Sequence, residues 1–152
     1  MASVPNDDID ILAKAKRALD RDYAPSDDDE YMSPQQLNYF RVLLLEWKKS
    51  ILSAAEGTLQ SLQDGPIREP DLNDRASSET DWGIELRTRD RQRKLIAKID
   101  AALRRIEQGE YGYCEVTGDP ISLARLEARP IATMTVEAQE RHERQEKISR
   151  DE

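Results

Sequence analysis

Apolar and small residues recur at alternating steps of three and four along SPQQLNYFRVLLLEWKKSILSAAEGTLQSLQD, at Leu37, Phe40, Leu44, Trp47, Ile51, Ala54 and Thr58. That spacing is a heptad seam and predicts a long helix that packs against a second one. Ser33 offers the N-cap, Pro34 falls at the first helical position, and Gly65 and Pro66 stop the helix after Asp64. A second stripe, Leu95, Ile96, Ile99, Ala102, Leu103 and Ile106, marks a helix expected from about Ser78 to Gln108, with Gly109 ending it. The intervening GPIREPDLNDRAS, residues 65–77, holds two prolines and a cluster of Asp and Asn and reads as a loop. Two helices of similar length joined by a short loop pair antiparallel, each reaching roughly 45 Å.

Shorter patterns flank this hairpin. Ile9, Leu12, Ala15 and Leu19 predict an amphipathic helix over Asp7–Asp20, and DYAPSDDDE at 22–30 reads as an acidic linker broken by Pro25. Past Gly109, YGYCEVTGDPISLARLEARPIATMT is rich in turn residues and predicts a compact knuckle, followed by the polar helical tail VEAQERHERQEKISRDE. The expected organisation is an N-terminal helix and acidic linker at 1–32, an antiparallel coiled coil at 33–108 with a tip loop at 65–77, a knuckle at 109–135 and a C-terminal helix at 136–152. The fold class is all-α dominated.

Composition narrows the function. The 152 residues are 36% charged and 5% aromatic, which suits striped helices better than a thick globular core. A net charge of -8 repels a phosphate backbone at long range, so free nucleic acid is disfavoured as the primary partner and sequence-specific DNA binding is not expected. The charge is uneven, however. Ile84–Gln108 carries eight basic side chains against four acidic ones, concentrated in RTRDRQRK, which suits an acidic protein surface. One cysteine excludes an internal disulfide, and no apolar run has the length of a signal peptide or a membrane span. These features predict a cytoplasmic monomer with no membrane association. No Ser-His-Asp set, Gly-rich phosphate loop or Cys-His pair is present, so no enzyme is expected.

The residues Arg89–Pro130, with GYCE at 112–115, I-x-L-x-R-L-E-A-R-P at 121–130 and PDLNDRAS at 70–77, resemble the DksA/TraR family of RNA polymerase-binding transcription factors. The similarity runs from about Tyr31 to Lys147. It implies a coiled-coil hairpin carrying a small zinc-finger-like knuckle, and a non-catalytic factor that enters the secondary channel of RNA polymerase core or holoenzyme and modulates initiation. Guanosine tetraphosphate, the signal of the stringent response, is the implied co-regulator. The chain departs from the family at the knuckle. The four cysteine positions hold Cys114, Thr117, Thr135 and Ala138. Threonine hydroxyls are poor zinc ligands, alanine is none, and His142 cannot complete a set, so no zinc is expected.

By the same resemblance, Asp71, Asp74, Arg75 and Ala76 form the tip that approaches the polymerase active centre. From the residues alone, Asp71 and Asn73 are turn formers and Asp74 is a helix cap. Leu95, Lys98, Arg125 and Arg129 are the implied nucleotide interface, chemically apt because guanidinium forks and an ammonium suit diphosphates. Position 139, basic in most of the family, is Gln139 here. Arg87 and Arg91 are candidate polymerase contacts, with helix-surface pairing to Glu85 or Asp90 as the plain alternative. Two other functions compete: a coiled-coil adaptor for a different protein, and a metal-dependent hydrolase using the tip carboxylates. PDLNDRAS argues against the first, and the lack of a third ligand cluster against the second.

Overall fold

The computed structural model describes the backbone of residues 4–19, 23–64 and 72–151, and the side chains of 10–19, 23–57 and 79–150. Helices dominate: α1 spans Val4–Arg17, α2 Pro34–Asp64, α3 Leu72–Gln108, α4 Leu123–Ala128 and α5 Val136–Asp151. Among the described residues the extended structure is one isolated antiparallel bridge, Tyr113 to Pro120. The chain divides into two compact units, one made of Met1–Asp20 and Leu45–Asp100, the other of Arg21–Leu44 and Ala101–Glu152.

In the first unit, α2 and α3 pack through Trp47, Ile51 and Ile99, all buried, and Leu12 and Ala15 of α1 are buried as well. Each large apolar side chain so covered stabilises the fold by about 1.5–3 kcal/mol. Lys48 Nζ lies 2.8 Å from an Asp100 carboxylate oxygen, an interhelical ion pair about one-third exposed at both ends. The seam is not wholly apolar. Gln92, two turns before Ile99, is 4% exposed and its Oε1 has no hydrogen-bond partner. A buried amide at a seam position costs stability and restricts register.

Phe40, Leu43, Leu44, Trp47 and Ile51 are buried as the heptad spacing demands. Ala54, expected in the seam, is exposed, and the side chain of Thr58 lies outside the described residues. On α3, Ile99, Ala102 and Ile106 are buried, whereas Leu95, Ile96 and Leu103 are only half-buried. The helix itself begins at Leu72, not near Ser78. The expected loop is therefore shorter, and Asn73–Ser77 are helical. Asp74 is a first-turn residue inside α3, not its cap. An Asp there is stabilised by the unpaired N–H groups and dipole of the helix start, which is how a turn-forming sequence continues into the helix.

The second unit is built on aromatics and hydrogen bonds. Tyr111 is 2% exposed, its ring tilted against Phe40, and its hydroxyl donates to the Pro130 carbonyl at 2.7 Å. Ile121, Leu126, Ala132 and Ala138 complete the core. Tyr113 and Val136 are exposed; Tyr113 sits edge-on to Tyr31. Ile131 and Met134 are half-buried. The chain leaves α3 through Gly109, at φ 76°, with Glu110 N–H donating back to the Arg105 carbonyl. That is a Schellman closure, and glycine tolerates the left-handed conformation it needs.

The stretch expected to be a linker is folded into this unit. Gln36 is fully buried: its Oε1 accepts from Met32 N–H at 2.8 Å and its Nε2 donates to the Ser26 carbonyl at 3.0 Å. Ser33 Oγ accepts from Gln36 N–H, so Ser33 and Gln36 act as a capping box displaced by one residue. The single hydroxyl proton of Tyr31 is then shared between the carbonyls of Gly112, at 2.6 Å, and Ile121. Burial pushes its ionisation up to about 12.

Gly112 has φ 91°, and a methyl group there would meet Tyr31 Oη at 2.9 Å and Met32 at 3.0 Å. Gly112→Ala is expected to cost about 1–3 kcal/mol, combining backbone strain with displacement of Tyr31. Chemical denaturation of the two proteins measures it. An unchanged midpoint would mean that the Tyr31 contact is not a structural constraint.

Candidate functional site

Three groups of residues carry the expected function. The first is the tip. Asp71 lies outside the described residues. Asp74, Arg75 and Ala76 lie in the first two turns of α3, and their side chains are likewise outside the described residues. What is described is their backbone: helix where a loop was expected.

The second is a basic stripe. Arg87, Arg91, Lys94 and Lys98 follow one another at steps of four, three and four on α3, which places them on one face. Arg87, Lys94 and Lys98 are exposed, and Arg91 is half-buried. Over about 11 residues the stripe extends roughly 16 Å. Arg93 sits on another face and pairs with Asp90 at 3.4 Å, both ends well exposed, so this plain helix-surface pair contributes little. Leu95 is half-buried beside the stripe.

The third group is in the knuckle. Cys114 is 4% exposed. Its N–H donates to the Asp119 carbonyl at 2.7 Å and its carbonyl accepts from Gly118 N–H at 2.8 Å, closing a tight turn. Burial pushes the thiol up. The Thr117 hydroxyl and the backbone N–H groups of Thr117, Thr135 and Val116 outweigh that and hold it down to about 7. Three of the four positions where the family carries cysteine are thus gathered around one sulfur.

Their chemistry does not fit a metal. Thr117 Oγ1 accepts from Asp119 N–H, and Thr135 Oγ1 accepts from Ala138 N–H at 3.2 Å as the N-cap of α5. Ala138 contributes a buried methyl. A tetrahedral zinc site needs four donors of the thiolate or imidazole kind, and one thiol is present. His142 pairs with Glu146 at 3.1 Å on the exposed face of α5. Where a cage would stand, this chain has a helix cap, a hydroxyl-closed turn and an apolar contact.

Arg125 and Arg129 have distinct settings. Arg125 Nε donates to the Met134 carbonyl at 2.8 Å, so its guanidinium ties α4 to the turn before α5. Arg129 ends α4, its N–H donating to the Arg125 carbonyl, and its side chain is exposed. Gln139 Nε2 donates to Glu143 along α5. Leu95 and Lys98 belong to the first compact unit, Arg125 and Arg129 to the second.

The family-like motifs acquire physical reasons. In GYCE, Gly112 gives way to Tyr31, Tyr113 forms the bridge to Pro120, Cys114 sits in its ring of donors, and Glu115 N–H donates to the Thr133 carbonyl. In the stretch from Ile121 to Pro130, Leu123 and Leu126 are buried. Glu127 faces Tyr39, whose ionisation is raised by burial first and by that carboxylate second. Sequence reasoning missed Tyr31, Gln36 and Tyr111. The signal for the first was an aromatic and a methionine, Tyr31 and Met32, at the end of an acidic run. For Gln36 it was an amide one turn before Phe40.

Comparison with known proteins agrees with this geometry. Residues 36–106 match the family described as "DnaK suppressor protein DksA, N-terminal domain", and residues 109–144 match the "Prokaryotic dksA/traR C4-type zinc finger". The chain is 63% identical over 130 residues to the RNA polymerase-binding transcription factor DksA of Caulobacter vibrioides (strain NA1000 / CB15N), covering 86% of this chain and 92% of that one. It is 39% identical over 125 residues to the protein of the same name from Escherichia coli (strain K12), covering 82% and 83%. The solved structure of transcription factor DksA2 from Pseudomonas aeruginosa superposes with a TM-score of 0.70 at 38% identity, over 91% of this chain and 97% of that one. The hairpin, the knuckle and the matched sequence together make this chain a member of the DksA/TraR family.

Proposed function

We propose that this protein binds RNA polymerase core or holoenzyme directly and modulates transcription initiation without catalysing a reaction. The hairpin enters through the secondary channel, bringing Asp71 and Asp74 towards the active centre. One observation carries this reading: α3 is a single helix that starts with Asp74 in its first turn and continues into the basic stripe Arg87, Arg91, Lys94 and Lys98. A carboxylate at the end of a rigid rod can act near a catalytic magnesium or its mobile surroundings. Cations along the side of the rod grip an acidic protein surface and steer the approach. The name "RNA polymerase-binding transcription factor" borne by the relatives supports the partner. The net charge of -8 disfavours DNA as a direct ligand. A cytoplasmic monomer meets these requirements, and among the described residues no helix is long and apolar enough to cross a membrane.

Guanosine tetraphosphate is the proposed co-regulator, held between the polymerase and Leu95, Lys98, Arg125 and Arg129. Arg129 is exposed and caps a helix only through its backbone. Arg129→Ala is therefore expected to leave stability unchanged while weakening nucleotide potentiation about tenfold or more, as befits loss of a charge-assisted contact. Nucleotide titration of the protein–polymerase complex reads this, and an unaltered response excludes Arg129 from the interface.

The knuckle serves this function without zinc. Thermal unfolding is expected to be the same with and without a strong chelator, and metal analysis should find far less than one zinc per chain. The thiol adds a pH signature. Its folded value lies near 7 against an ordinary 9.0, so its contribution to stability is fully present above 9 and is lost as pH falls through 7. Melting temperature should rise from pH 7 to 9 in the wild type more than in Cys114→Ala. Chelator-induced melting at any pH contradicts the metal-free knuckle.

The tip is tested by Asp74→Asn. Asp74 lies inside the first turn of α3, so removing its charge costs roughly 0.3–1 kcal/mol of helix stabilisation. Competition binding to polymerase should change less than about fivefold. Regulation at a responsive promoter should be lost. Full regulation by the variant would reduce Asp74 to a helix-stabilising residue. Loss of binding in step with regulation would place affinity, not mechanism, at the tip.

A further inference from the structure

The seam of the hairpin changes character along its length. Within the unit that holds Leu45–Asp100, Trp47, Ile51 and Ile99 are buried. Past Ile51 on α2 and before Ile99 on α3, the one buried residue among the described side chains is Gln92. Its Oε1 is shielded from water and has no hydrogen-bond partner, and Trp82 Nε1, nearer the start of α3, is in the same position. Closing the hairpin there desolvates two polar atoms without replacing their bonds to water. Opening it gives those bonds back.

The two helices are also weakened from within. Gly57 lies inside α2 and Gly83 inside α3. A Cβ added at either would meet nothing within 4 Å, and neither residue has a positive φ. Neither close packing nor backbone conformation therefore requires glycine at these positions. Each glycine weakens its helix about two- to fivefold relative to alanine. Two of the weak points coincide. Lys48 pairs with Asp100 across the hairpin. Two turns outward along each antiparallel helix, roughly 12 Å, lie Glu56 and Gln92. Gly57 thus stands level with the unsatisfied amide.

We propose that the hairpin has a joint at the level of Gly57 and Gln92, outside which its two helices part and unwind while the seam at Trp47, Ile51 and Ile99 stays closed. Proteins open locally in cooperative units, and stretches with few buried apolar contacts open most readily. Arg87 lies on the part that opens, and Lys98, next to Ile99, on the part that holds. Closure of the joint therefore decides whether the whole basic stripe can meet one surface at once.

Native-state amide exchange on the free full-length chain tests the joint. The outer amides are those of Ala54–Gly57 and Trp82–Arg91; the inner ones are those of Trp47–Ile51 and Lys98–Asp100. After correction for intrinsic rates, the outer set should exchange at least about tenfold faster than the inner set. Gly57→Ala combined with Gly83→Ala should slow the outer set about tenfold. Gln92→Leu should slow it about fivefold or more, because the unsatisfied carbonyl is gone. Ile99→Val loosens the seam alone. It should speed the inner set about three- to tenfold and leave the outer set unchanged.

Equal rates in the two sets overturn the joint. So do outer amides that accelerate in step with the inner ones in Ile99→Val, since the hairpin then unfolds as one body. An outer rate unmoved by both the double alanine and the leucine substitutions overturns it as well, because the weak points named here would not govern the opening.

Discussion

Closure of the knuckle without a metal is the constraint on which its unit depends. A four-cysteine module obtains much of its folding energy from the ion. This chain has one thiol in that place and must close the same turns by other means. It does so with hydroxyls aimed at carbonyls. Tyr111 donates to Pro130, and Tyr31 shares its proton between Gly112 and Ile121. Both rings are at least half-buried, so each hydroxyl is desolvated and an unmade bond would be costly. These bonds tie residues 31, 112, 121 and 130 of this unit together.

The substituted positions have been given other work. Thr135 caps α5, Thr117 closes a turn, and Ala138 fills a core site. Cys114 remains within the ring of N–H and O–H donors that suits a thiolate. These donors stabilise the ionised thiol directly, which is why its ionisation sits near 7 despite burial.

Charge is sorted along the hairpin in a way that net composition conceals. The chain as a whole is acidic, yet α3 presents a basic face, and the acidic residues at 27–30 belong to the other compact unit. A net negative charge limits adhesion to nucleic acid, while a local basic stripe retains attraction for an acidic protein surface. The backbone of Asp74 is helical, because α3 extends back to Leu72.

Much of this was legible in the sequence because it depends on local periodicity and on residue identity. The seam at Phe40, Leu44, Trp47 and Ile51 follows from the heptad step, and the stop at Gly109 from its tolerance of positive φ. Tertiary structure decided the rest, because burial depends on what arrives from distant parts of the chain. Tyr111 and not Tyr113 fills the knuckle core, since the bridge to Pro120 faces Tyr113 outward. The acidic run folds because Gln36 offers both a donor and an acceptor to backbone ten and four residues before it. Asp74 lies in a helix because the turn signals around it are only a few tenths of a kcal/mol each and are outweighed by continuation of α3. A sequence states which groups need partners; only the folded chain determines which partners reach them.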